Sequence, residues 1–240
     1  MTTLVIATRN AHKAGEIRAI LPDRFRFLTL TDFPDAPAVV EDAATFAGNA
    51  TKKAVELARW LAKGGAADNA ARLGEEAFVL ADDSGLEVDG LRGAPGVYSA
   101  RFAALDSGRE GNSTDSDNNA KLLRLLKNVP LEKRTARFRC VLALTPVVRS
   151  LPQNASPVCA GDELELQTAV FDGACEGQIA FAPTGVGGFG YDPLFVPDGF
   201  DQSFAELGEA TKNRISHRAK ALEILRDYLK PRTLTTDLNG

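Results

Sequence analysis

Thr135-Ala-Arg-Phe-Arg-Cys-Val-Leu-Ala-Leu144 alternates residue by residue, with Ala136, Phe138, Cys140, Leu142 and Leu144 pointing one way. A sustained period of two is the pattern of a half-buried strand. Leu164 to Phe171 reads as its antiparallel partner, joined across the loose Pro146 to Gly161 stretch. Upstream, Leu4 to Ala7, Phe25 to Leu30 and Phe78 to Ala81 read as short apolar strands. Helical spacing separates them: Asn10 to Leu21 carries Ala14, Ile17 and Leu21, and Thr45 to Lys63 carries Phe46, Ala50, Ala54, Leu57 and Leu61 on one stripe. Thr114 to Lys127 is a leucine-bearing helix, and Ser216 caps a final one that turns Leu222, Leu225 and Leu229 inward. Intermixed helices and strands predict a mixed α/β fold: an elongated central sheet flanked by helices, in two lobes with a substrate cleft between them. Residues 1–230 form this single domain, and 231–240 are a polar C-terminal tail.

The bulk numbers bound the function. A chain of 240 residues with 44% hydrophobic and 25% charged residues can bury a sizeable core. Its net charge of -4 argues against a nucleic-acid partner, while leaving room for a small polyanion held by a few local cations. Cys140, Cys159 and Cys175 are odd in number and lack C-x-x-C spacing, which argues against a disulfide framework or a zinc site. Met1 to Ala7 carry no basic n-region and no run approaches a membrane span, so a cytoplasmic protein without a membrane partner is expected.

Four polar clusters interrupt the apolar pattern. Thr8-Arg9-Asn10-Ala11-His12-Lys13 lies where a strand turns into a helix, where free backbone N–H groups and Lys13 suit an anion. A helix cap with a solvated lysine explains the same residues. Asp82-Asp83-Ser84-Gly85 follows an apolar strand; at its end, one acid can turn into the cleft and the other outward. Adjacent carboxylates gain little from burial unless paired, protonated or bound to a hard cation such as Mg²⁺, against which stands an Asp-rich turn. Gly185 to Asp192 interleaves glycines with Phe189 and Tyr191, offering close backbone approach and stacking faces for a base. Lys212-Asn213-Arg214-Ile215-Ser216-His217-Arg218 opens the last helix with cations, which oppose its dipole and ask for an anion or base. A flexible turn and a solvated basic turn are the plain alternatives for these last two.

Taken in order, Thr8-x-Asn10-x-x-Lys13, Thr45-Phe46-x-x-Asn49-Ala50, Ala81-Asp82-Asp83-Ser84-Gly85-Leu86, Gly93-Ala94-Pro95-Gly96-Val97-Tyr98-Ser99-Ala100-Arg101, Gly187 to Pro193 and Ser216-His217-Arg218 resemble the inosine/xanthosine triphosphate pyrophosphatase family from Leu4 to about Leu229. The resemblance implies a homodimer that hydrolyses non-standard purine nucleoside triphosphates (ITP, dITP, XTP) to monophosphate and pyrophosphate, keeping them out of DNA and RNA. It implies one Mg²⁺ per subunit, held by Glu41 and Asp83, with Asp83 also the general base. Thr8, Arg9, Asn10, Lys13 and Lys53 resemble the phosphate-binding residues, and Ser84 a substrate contact. Phe189, Gly190, Tyr191, Asp192, Lys212, His217 and Arg218 resemble the base- and nucleotide-recognition set.

Two features depart from the family pattern. Relatives often have glycine where this chain has Arg9, which is strained if the backbone there needs an unusual φ and otherwise adds a phosphate contact. Gly64 to Glu76 and Pro146 to Gly161 also look longer than in compact relatives, altering the surface. Donors from the backbone or the His217-Arg218 region are expected to read the 6-keto group of the base. Two other functions fit the clusters: a house-cleaning pyrophosphatase for pyrimidine or modified nucleotides, and a non-catalytic nucleotide sensor. The paired acids and Glu41 count against the sensor, because binding an anion gains nothing from carboxylates without a metal.

Overall fold

The computed structural model describes residues 1–21, 23–63, 71–106, 108, 111–148 and 160–230. Strands β1 (Thr3–Ile6), β2 (Arg26–Thr29), β3 (Ala77–Val88), β4 (Thr135–Pro146), β5 (Ala169–Ile179) and β6 (Phe195–Pro197) form one sheet in the order β2-β1-β3-β4-β5-β6. β1 runs parallel to β2 and β3, and the remaining pairs are antiparallel. The fold is therefore mixed α/β. Among the described residues its main helices are α1 (Ala11–Ile20), α2 (Phe46–Lys63), α3 (Asp115–Leu125), α4 (Ala160–Leu166), α5 (Phe204–Ile215) and α6 (His217–Tyr228).

The pleat sorts the strands between three cores. Val5, Val79, Ala81, Val141 and Ala143 face α2, where the stripe of Phe46, Ala50, Ala54, Leu57 and Leu61 covers them. Leu4, Ile6, Leu80, Cys140, Leu142 and Leu144 face the other way, against Ile17 of α1 and Leu222 and Leu225 of α6. Farther along that second face, Leu86, Val88, Ala136 and Phe138 pack with α3 and with Tyr191, Leu194, Phe195 and Phe204. β3, β4 and β5 thus run through more than one core and carry the sheet from one end of the molecule to the other.

Several expectations shift. β3 does not stop at Ala81 but continues through Asp-Asp-Ser-Gly to Val88, paired with β4 throughout. The partner of β4 is displaced: Leu164 belongs to α4, and pairing runs over β5 to Gln178. α5 has no counterpart in the sequence reading. Within the 64–76 stretch, Leu73 is fully buried in the α2-side core, so that end contributes to the interior and does not alter the surface alone. Cys159, residues 64–70, most of the 146–161 loop and the 231–240 tail lie outside the described residues. Cys140 and Cys175 are buried free thiols. Among the described residues, no helix is long and apolar enough to cross a membrane.

Candidate active site

The strand pleat separates the two adjacent acids. Residue 82 falls on the α1/α6 face and residue 83 on the α2 face, and both side chains are buried; neither turns outward. Asp82 is saturated by neighbours. Lys13 Nζ lies 2.5 Å from Oδ1 and Arg218 Nε 2.8 Å from Oδ2. The Ser84 hydroxyl donates to Oδ1 at 3.0 Å, and the Cys140 thiol donates to Oδ2 at 3.1 Å. Burial pushes the Asp82 carboxyl up, but Arg218 and Lys13 outweigh it and hold the group well below the usual range. Arg218 is itself fully buried, paired on its far side with Glu16 and donating to Ser84 Oγ at 3.0 Å.

Asp83 has sparser company. Asn49 Nδ2 donates to Oδ2 at 3.2 Å, and Lys53 Nζ lies 3.3 Å from Oδ1. The Asn49 amide is held in turn by the Ala43 N–H at 2.9 Å. Lys53 also donates to the Asp82 carbonyl at 2.8 Å and meets Glu41 Oε2 at 3.2 Å. Burial raises the Asp83 carboxyl above the ordinary range; Lys53 and Lys13 oppose the shift, and the Glu41 charge adds to it. Two carboxylates, Asp83 and Glu41, therefore converge on one ammonium. Such a pair suits a hard divalent cation completed by phosphate oxygens. Among the described residues no larger acid, His or Cys group gathers, so further ligands would have to come from substrate or water.

These groups line a cavity of about 490 Å³ together with Thr8, Arg9, Asn10, Lys13, Ser84 and Arg101. It meets a second cavity of about 200 Å³ at Asn10, Lys13, Ser84, Ala100 and Asn112. The second is lined by Phe189, Gly190, Tyr191, Asp192, Lys212, His217 and Arg218. The structure thus gathers the sequence-selected residues along one trough, acids and lysines at one end, aromatics and His217 at the other.

The helix start at Thr8 to Lys13 is more occupied than the sequence suggests, because Asn10 Oδ1 accepts from the His12 and Lys13 N–H groups at 2.9 and 3.2 Å. Arg9 carries no strain: among the described residues, the single non-glycine with positive φ is Arg92. Lys212 and Arg214 do not open the last helix. They end α5, where cations complement the dipole, and Ser216 closes α5 and caps α6.

At the aromatic end, Lys212 Nζ lies 2.5 Å from Asp192 Oδ2 and 3.0 Å from Glu16 Oε1. Asp192 also accepts the Phe189 N–H at 2.9 Å, which closes the glycine-rich turn. Burial raises the Asp192 carboxyl, with Lys212 opposing. Phe189 stacks on His12 with ring centroids 5.3 Å apart. Tyr191 is not a free stacking face: its ring is packed in the core and its hydroxyl donates to the Ser99 carbonyl at 2.8 Å. His217 stacks on Phe138 at 4.9 Å, and its buried Nδ1 has no partner. Burial, with the Arg218 and Lys212 charges, depresses this imidazole well below its ordinary value and keeps it neutral.

Sequence reasoning missed Glu16 and Asp115, and it quoted Asn49 and Ser99 within the family segments without giving either a role. Asn49 left a signal, a polar residue three positions after Phe46 on the apolar stripe of α2. Ser99 left another in glycine: a side chain at Gly85 would overlap Ser99 Oγ and come within 2.6 Å of the Gly96 carbonyl, so the 96–101 turn lies directly on β3. Glu16, one of several polar residues of α1, and Asp115, which accepts from the Gly190 N–H at 2.6 Å, left none.

Known proteins are similar to this chain over nearly its whole length. The chain is 41% identical over 230 residues to the dITP/XTP pyrophosphatase of Shouchella clausii, covering 96% of this chain and 98% of the relative. It is 46% identical over 230 residues to the dITP/XTP pyrophosphatase of Geobacter sulfurreducens, covering 95% and 97%. The solved HAM1 protein of Coxiella burnetii superposes with a TM-score of 0.72 at 34% identity, over 95% of this chain and 98% of that one. The model of the Ham1 family matches residues 4–228, and this chain belongs to that family.

Proposed function

We propose that the chain is a nucleoside-triphosphate pyrophosphatase that hydrolyses non-standard purine nucleotides such as dITP, ITP and XTP to the monophosphate and pyrophosphate. The relatives that are dITP/XTP pyrophosphatases support the reaction. The observation that carries it to residues is the raised, incompletely paired Asp83 beside Lys53 and Glu41, in the larger cavity, which meets the aromatic one at the neighbouring Ser84. In this reading Asp83 accepts the proton of a water that bonds to the α-phosphorus. The α–β bridging P–O bond breaks, and pyrophosphate leaves with its electron pair. Lys13, Lys53, Thr8 and Asn10 face the phosphates. Asp83 and Glu41 would hold one Mg²⁺, which when bound supplies charge neutralisation and a more acidic water.

Base selection falls to the smaller cavity. Lys212 and Arg218 are donors with fixed positions, each locked between two carboxylates, and a 6-keto oxygen accepts from such groups where a 6-amino group cannot. A second copy of the chain belongs to the same reading. A concave face lined by Phe46, Val97, Tyr98, Val141 and Val170 supports it, with Tyr98 and Val170 about half exposed. Neither nucleic acid nor a membrane is a partner in it, in keeping with the acidic balance, and the setting is the cytoplasm, where the substrates are. Pyrophosphate release from dITP, XTP, ATP, GTP, dTTP and UTP, each with Mg²⁺ and with EDTA, is the test. Release confined to dITP and XTP with Mg²⁺ is expected; release mainly from the pyrimidines, or none at all, contradicts the proposal.

A further inference from the structure

The charge in the larger cavity is unevenly committed. Arg9, Lys13, Lys53 and Arg101 all line it. Lys13 is engaged by Asp82, and Lys53 by Glu41 and Asp83. The two arginines have no carboxylate partner among the described residues. Each guanidinium makes one hydrogen bond: Arg9 Nη2 to the Ala36 carbonyl at 3.3 Å, and Arg101 Nη2 to the Glu41 carbonyl at 3.2 Å. A guanidinium has five donors in a planar fork that matches phosphate oxygens, so most of each fork is left for a ligand.

Both bonds end on one wall. Residues 36–41 form neither helix nor strand, and Pro37, Ala38, Val39 and Glu41 line the cavity. Arg9, from the β1–α1 turn, braces one end of this wall. Arg101, from the 96–101 turn after β3, braces the end that carries Glu41. The Arg101 guanidinium also lies 5.1 Å from the Tyr98 ring centroid, which steadies it further. The aromatic cavity joins the larger one at Asn10, Lys13 and Ser84. On the pyrophosphatase reading, a nucleotide with its base in the aromatic cavity would place its α-phosphate near Ser84 and Asp83, and its β- and γ-phosphates would extend into the remainder, toward the arginines.

We propose that Arg101, together with Arg9, is a ligand of the departing pyrophosphate, so that the leaving group is received by the two cations whose charge no protein carboxylate has already neutralised. This rests on the pyrophosphatase reading. When the bridging bond breaks, the electron pair stays on the β-phosphate oxygen, and donors fixed in advance at that position stabilise the charge as it develops. Lys53, shared between Asp83 and Glu41, has less to offer there.

Calorimetric titration separates the possibilities, with Mg²⁺-pyrophosphate and dIMP as separate ligands for the wild type, Arg101→Gln and Arg101→Lys, and wild-type turnover of dITP measured alongside. Arg101→Gln is expected to weaken pyrophosphate binding about tenfold to a hundredfold, the range for losing charge-assisted hydrogen bonds. It should leave dIMP binding within about twofold, and Arg101→Lys should recover part of the loss. Unchanged pyrophosphate binding in Arg101→Gln overturns the proposal, as does an equal loss for both ligands, which would make Arg101 a brace for the wall alone. A wild type that binds pyrophosphate through Arg101 yet releases none from dITP supports the ligand assignment and refutes the reaction. A wild type that turns over dITP while Arg101→Gln binds pyrophosphate normally refutes only the assignment.

Discussion

Burial acts on Asp82 and Asp83 alike, yet leaves them on opposite sides of the ordinary carboxylate range. What differs is how closely the positive charges are committed: Arg218 and Lys13 both contact Asp82 directly, while Asp83 contacts Lys53 alone, shares it with Glu41 and feels the Glu41 charge as well. A carboxylate held low is a poor proton acceptor, and one held high is a better one. His217 shows the same logic in a base. Folded, it stays neutral below its ordinary value of 6.5; unfolded, it takes up a proton there. The stability tied to this group is therefore complete above pH 6.5 and declines as pH falls through it, by about 1.4 kcal/mol per pH unit until the folded imidazole itself titrates. Asp83 and Asp192, with raised values, act in the opposite sense, since their protonation favours the folded state. Urea titrations at pH 7.5, 6.0 and 5.0 on the wild type and His217→Gln isolate the histidine: the wild type should lose stability more steeply with acid, and parallel slopes would remove His217 from that role.

At the scale of elements, the site depends on α6 lying close against β5. Gly173 permits this. A side chain there would overlap the His217 carbonyl oxygen and reach within 2.5 Å of the Ala221 nitrogen, both main-chain atoms that cannot swing aside. Gly173→Ala should cost about 1–3 kcal/mol through overpacking and raise KM for dITP, because His217 and Arg218 move with the helix. Urea midpoints and initial rates check both; a variant of wild-type stability and KM would mean that α6 is not held by this contact. β4 and α2 were legible in the sequence because their burial follows a simple period. α5 was not. Its segment carries Gly208 at positive φ and buries few side chains beyond Phe204, Ala205 and Lys212, so no apolar stripe announces it. β3 was cut short for a related reason: Asp-Asp-Ser-Gly are poor strand formers. What keeps them in the sheet are partners at positions 13, 49, 53 and 218, which no local window contains.

At the scale of the whole molecule, the Asp82 cluster joins distant parts of the chain. Its ion pairs tie β3 to α1 through Lys13 and to α6 through Arg218, and Arg218 returns to α1 through Glu16. We infer from this, and from three strands that run through more than one core, that residues 1–230 behave as a single unit. The residues that gather in the trough were largely legible as ordered motifs. The division of labour between two neighbouring acids was given only by the resemblance, which singled out Asp83; its physical basis was not legible, since it depends on which face each occupies. That division is the central claim, and it is tested by measuring turnover of dITP and thermal stability for Asp82→Asn and Asp83→Asn side by side. Asp83→Asn is predicted to keep its melting temperature close to wild type and lose roughly 10²–10⁴-fold in kcat, the span for a general base. Asp82→Asn is predicted to lose about 3–5 kcal/mol of stability, the cost of leaving buried cations unpaired. Near wild-type turnover in Asp83→Asn would contradict the account.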